Sequence, residues 1–128
     1  MISGNDDMRK TMICTIAAMG LATIAAADSH MAPAYTAKDL LSPCQEADND
    51  ARWGAAAEAE CEQYIMGFVD GLKISGADEG ICLPEANRPD EIRWAFTRWI
   101  HGAYGQRTQM PAADAVLAAL KESFPCSN

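Results

Sequence analysis

The stretch CEQYIMGFVDGL, residues 61–72, decides how the chain folds. Cys61, Tyr64, Ile65, Phe68, Val69 and Leu72 recur at helical spacing and share one face of a helix, which predicts that this face is core. Asp70 falls nearly opposite, beside Gln63 and three residues before Lys73, so it is expected at the surface and not as a catalytic carboxylate, which needs a cleft and a partner. Gly67 and Gly71 lie together on one flank of the stripe. A glycine inside a helix costs up to about 1 kcal/mol relative to alanine, so this pair predicts close approach by another backbone, from the same domain or from a second copy.

Helical signals continue on both sides of this segment. Thr36 followed by Asp39 forms a capping arrangement for a short helix carrying Leu40 and Leu41, which Pro43 is expected to limit. The stretch QEADNDARWGAAAEAE then reads as a loop entering the central helix, with Glu58, Glu60 and Glu62 near its positive end. A solvated acidic cluster is the preferred reading there, and no metal site is assigned. Downstream, Gly76 and Gly80 bracket an acidic turn, and Cys82 and Pro84 fix the chain beyond it. Asp78 and Glu79 at its tip are the candidate contact residues for a partner. Pro89 opens a third helix with Ile92, Ala95, Phe96, Trp99 and Ile100 inward and Arg93, Trp94 and Arg98 elsewhere. HGAYGQRTQ ends that helix, and Pro111 opens a last one with Val116, Leu117, Leu120 and Phe124. The expected fold is all-α, a bundle of about four to five helices.

The N-terminus looks processed. Arg9 and Lys10 precede an uncharged apolar run closed by Ala25, Ala26 and Ala27, the parts of a secretory signal peptide over residues 1–27, with Met1 or Met8 as the start. A single all-helical domain is expected over residues 28–128, with a polar leader at its start. Cys14 would leave with the signal. The four remaining cysteines, Cys44, Cys61, Cys82 and Cys126, then read as two disulfides in an exported domain. Three pairings are open. Cys44 with Cys61 and Cys82 with Cys126 is favoured because each pair joins the end of one helical segment to the near end of another; the chain-entropy contributions are about 3 and about 4 kcal/mol.

Charge and chemistry exclude several functions. The net charge is -8 with or without residues 1–27, which argues against nucleic acid and anionic lipid and suits a basic protein partner. His30 and His101, the two histidines, stand far apart in sequence, and neither a nucleophile-elbow pattern nor a phosphate-binding glycine loop occurs. No catalytic residue, metal or cofactor is assigned.

The order CEQYIMGFVDGL, ICLP and AVLAALKESFPC resembles the Rap/Tai family of exported immunity proteins associated with type VI secretion. The resemblance covers residues 40–126 and rests on Cys61, Tyr64, Ile65, Gly67, Asp70, Cys82, Leu83, Pro84, Phe124, Pro125 and Cys126. It implies a small all-helical periplasmic protein, often a homodimer, that blocks a peptidoglycan-cleaving amidase by occluding its active site and performs no chemistry. After Trp99 and Ile100 the sequence departs from that pattern, with HGAYGQRT where a proline is expected. The competing class is a periplasmic chaperone or acid-stress protein, which the same architecture would serve.

Overall fold

The computed structural model describes residues 35–49 and 52–127, which belong to one compact unit, Met31–Asn128. The expected signal peptide and most of the expected leader, with Cys14 and His30, lie outside the described residues. Five helices follow in order: α1 (Ala37–Asn49), α2 (Gly54–Ser75), α3 (Arg88–Gly102), the single turn α4 (Tyr104–Arg107) and α5 (Ala112–Ser123). Among the described residues there is no strand, only two isolated bridges, Thr36 with Pro111 and Ile81 with Pro125. No helix there is long and apolar enough to cross a membrane.

The expected capping arrangement opens α1. The backbone N–H and hydroxyl of Thr36 both donate to Asp39 Oδ2, at 2.9 and 2.7 Å, and the Asp39 N–H donates back to the Thr36 hydroxyl at 3.3 Å. These bonds hold the Asp39 carboxyl below its usual range, the Thr36 backbone bond being the largest cause. Pro43, however, does not limit α1: it lies inside the helix, buried, and the helix runs on to Asn49. A proline there removes one backbone bond, to the carbonyl four residues back. The helix survives because Ala37, Leu40, Leu41 and Cys44 form a continuous buried stripe, and Cys44 is bonded to Cys61 of α2.

In α2, Cys61, Ile65 and Val69 are fully buried, while Tyr64, Phe68 and Leu72 pack against the core from its margins, as the periodicity predicts. Asp70 is exposed. The helix ends in a glycine stop: Gly76 sits at φ +70°, its N–H donates to the Lys73 carbonyl, and the Ala77 N–H donates to the Leu72 carbonyl at 2.9 Å.

Within the chain, close backbone approach occurs not at Gly67 or Gly71 but at another glycine. A Cβ at Gly67 or Gly71 would meet nothing within 4 Å, whereas one at buried Gly54 would stand 3.0 Å from the Ala47 carbonyl oxygen, where α2 starts against the end of α1. No described residue packs on the Gly67–Gly71 flank.

Helices α3 and α5 close the core with Ile92, Phe96, Ile100, Val116 and Leu120. Ala112, Ala115 and Ala119 are also buried, and such small residues let helix α5 lie close to its neighbours. The segment after α3 docks back onto the start of α1: the Ala37 N–H donates to Met110 O at 2.8 Å and the Lys38 N–H to Thr108 O at 3.0 Å. Arg107 holds that segment by donating to the Trp99 carbonyl with its guanidinium 4.0 Å from the Trp99 ring centre.

Candidate functional site

The candidate contact residues sit on a turn fixed from both sides. Asp78 is half-buried and Glu79 exposed, between Gly76 and Gly80, both at positive φ. Beyond the turn, the Cys82 N–H donates to Phe124 O at 2.8 Å, and the Cys126 N–H donates to Gly80 O at 3.1 Å. The Cys82–Cys126 disulfide lies in the same place, closing 44 residues of chain, so the turn is tied to the C-terminal segment by a covalent bond and a short backbone ladder. A charged tip whose backbone is already ordered loses little entropy on contact with a partner.

Beneath the turn is a small cavity of about 110 Å³, walled by Val69, Leu72, Ile81, Leu83 and Leu120 and reached by Lys73, Asp78 and Arg88. The Arg88 Nε donates to Pro84 O at 2.7 Å, which pins the stem of that side chain beside the turn. A second, open groove of about 540 Å³ runs between α1 and α2 with Asp39, Glu46 and Glu60 on its walls and the exposed Trp53 at one end. It adds to the acidic surface.

The largest electrostatic feature is one the sequence reading placed wrongly. Arg93, expected to point away from the core, is only 3% exposed. Its guanidinium pairs with Asp48 at 2.9 Å and Asp90 at 2.9 Å, approaches Glu62 at 3.7 Å and donates to the Cys44 carbonyl at 3.3 Å. The cause is the unbroken α1. Asp48 follows Cys44 by one helical turn at the edge of the buried stripe, and only because the helix continues past Pro43 does its carboxylate reach α3. A signal was present in the sequence: Arg93 stands three residues after Asp90 and between the apolar Ile92 and Trp94.

The same cluster revises the reading of the α2 acids. No acidic residue lies in the first turn of α2, and Glu58 and Glu62 turn towards Asp90, with carboxylate oxygens of the three within 4.8 Å of one another. The cation among them is Arg93, a single positive charge that meets Asp90 and, at a longer distance, Glu62. Burial, followed by the neighbouring carboxyls, pushes Glu62 above the usual carboxylate range, while the hydrogen bond from Arg93 holds Asp90 below it. Burial disfavours the Arg93 charge, but Asp48 and Asp90 outweigh it and raise its pKa. The arrangement is a charge clamp that joins α1, α2 and α3 through Arg93, with the carboxylates in excess.

His101 contacts Gln45 Nε2 through its Nε2 at 2.7 Å and stacks on Tyr104, so it bridges the end of α3 to α1. Trp94 is 36% exposed and Ile74 89% exposed. Ile74 is on the Gly67 and Gly71 flank of α2, at a spacing of seven and three residues.

Comparison with curated proteins and with solved structures returns no match. Comparison with protein families returns the Rap1a immunity proteins, matched over residues 36–126, a span that takes in all five helices and both disulfides. With the cysteine framework, the tethered turn and the helical core all inside that match, the chain belongs to the family of Rap1a immunity proteins.

Proposed function

We propose that this immunity protein works in the periplasm, after removal of residues 1–27, and neutralises a peptidoglycan-cleaving amidase delivered by type VI secretion. An immunity family implies a protein effector as partner. The observation that carries the finer reading is the turn at residues 76–80, whose acidic tip, with Asp78 and Glu79, is held by a disulfide and paired backbone bonds at the surface. Inhibition is by occlusion: the turn covers the amidase active site, and this chain contributes contacts and no chemistry. Two disulfides suit an oxidising compartment, and a net charge of -8 suits a basic face on the partner.

The protein acts as a homodimer in this reading, with the second copy on the open flank of α2. Support comes from the empty space around Gly67 and Gly71 and from Ile74, an aliphatic side chain left 89% exposed beside them.

The test is association of the oxidised domain with the amidase encoded beside it. Tight binding that Asp78→Lys with Glu79→Lys weakens about tenfold or more supports the reading, since like charges set against a complementary face cost several kcal/mol. Full toxicity of that amidase in cells exporting the wild-type protein sinks it.

A further inference from the structure

The cavity beneath the turn differs from the rest of the surface in its charge. The chain carries 18 acidic and 10 basic residues, yet two of the three charged residues that reach this cavity are cations, Lys73 and Arg88. Neither makes an ion pair among the described residues. Asp78, the third charged residue, stands outside ion-pair distance of both. The walls are aliphatic. Leu72, Ile81 and Leu83 are each only partly covered, so one face of each remains available to an incoming group.

Size narrows the occupant. An apolar cavity of roughly 150 Å³ holds benzene, so the volume of about 110 Å³ here suits one branched aliphatic side chain and excludes an indole. An uncharged aliphatic group would leave Lys73 and Arg88 unanswered at the rim.

We propose that this cavity is the anchor pocket of the immunity protein, receiving a leucine-sized side chain of the partner protein together with a carboxylate next to it, from a chain terminus or a following acidic residue. The inference rests on the protein-binding reading above and deepens it by naming what the partner inserts beside the acidic turn. Leu83 and Ile81 cover the aliphatic group. Lys73 and Arg88 take the carboxylate, with Arg88 already steadied by its bond to the Pro84 carbonyl. The turn and the pocket thus form one contact surface, repelling acid at the tip and accepting it at the base.

N-acetyl-leucine is the probe, titrated into the isotope-labelled domain while the backbone amides of Lys73, Asp78, Ile81 and Leu83 are followed by NMR. Saturable shifts at these amides are expected, with binding at least about fivefold weaker for N-acetyl-leucinamide and for N-acetyl-alanine, because each lacks half of the recognised group. Lys73→Gln with Arg88→Gln should erase the preference for acid over amide, and Leu83→Phe, which fills the cavity and keeps both cations, should erase binding of all three. No saturable shift at the pocket, or equal affinity for acid and amide, overturns the proposal. The amidase separates the two readings. If it binds the wild type and the Lys73, Arg88 double variant equally, the anchor pocket is wrong and the occlusion reading stands; if it does not bind the wild type, the occlusion reading falls and the N-acetyl-leucine titration alone judges the pocket.

Discussion

Along α2 the molecule is held in two different ways. In its N-terminal half the Cys44–Cys61 bridge is fully buried, beside an arginine whose charge is answered by Asp48, Asp90 and Glu62 within the fold. At and beyond its C-terminal turn Cys82 is exposed, the cations Lys73 and Arg88 have no ion-paired acid among the described residues, and the backbone is held by the ladder to Phe124 and Cys126. The first region gathers opposite charges around one buried arginine; the second keeps its cations apart from any described acid. The disulfide in the first joins two core helices, and the disulfide in the second ties a surface turn to the C-terminal segment.

The strongest way to break this comparison is to remove Arg93. Arg93→Ala leaves three carboxylates facing one another and is expected to lower the unfolding free energy by about 3 kcal/mol, the low end for a broken buried pair because Asp48 is itself half-exposed. Urea unfolding measures it, and a loss under about 1 kcal/mol, the value of a surface ion pair, would place the clamp with ordinary surface pairs.

Access to the two disulfides is the next difference. With a mild thiol reductant under native conditions, alkylation and mass mapping should label Cys82 and Cys126 about tenfold faster than Cys44 and Cys61, since exchange requires the attacking thiolate to reach a sulfur. Equal rates would show that the core region opens as readily as the turn.

A smaller effect follows from Glu62. Its folded pKa lies above the ordinary 4.5, so as pH rises past 4.5 the unfolded chain releases a proton that the folded chain retains, and Glu62 increasingly opposes folding. Asp90 has the opposite sign: its pKa lies below the ordinary 3.8, so it supports folding above that value and the support is lost as pH falls through its folded pKa. Glu62→Gln should therefore gain stability over the wild type as pH rises from 4.5 towards neutrality, with the gap closing at lower pH. Thermal melts at several pH values check this; a pH-independent gap would mean that folding leaves the Glu62 carboxyl where it is in the unfolded chain, and a gap that grows in the opposite sense would mean that Arg93 holds it as it holds Asp90.

The smallest expected effect separates the glycines. Gly67→Ala and Gly71→Ala should each stabilise the monomer by about 0.5–1 kcal/mol through helix propensity, because the added methyl meets open space, while Gly54→Ala should destabilise against the Ala47 carbonyl. Chemical denaturation at low protein concentration reads both, and destabilisation by Gly67→Ala would show that something packs on that flank.

Much of this was legible in the chain. The spacing of Cys61, Ile65 and Val69 marked the core face of α2, Thr36 and Asp39 marked the start of α1, and Gly76 with Gly80 marked the turn after α2, each because the signal is local and covers about one to three turns. Pro43 misled, since its penalty is local but the burial of Leu40, Leu41 and Cys44 that outweighs it depends on α2. Arg93 misled for the same reason: its partners Asp48 and Glu62 are 45 and 31 residues away, and only packing brings them together. Gly67 and Gly71 share a pattern with close-packed helices, but pattern alone does not say which flank of a helix has a neighbour.

By itself, then, the sequence determined the helical periods, the acidic balance, the even set of cysteines and the place of the turn, all properties of residues near one another along the chain. Tertiary structure alone decided that α1 passes through Pro43, that Arg93 is internal, that Gly54 and not Gly67 meets a backbone, and that Lys73 and Arg88 border one aliphatic cavity. Each of these is a balance between a local preference and a contact made across the fold, and the stronger side of that balance depends on which helices lie side by side.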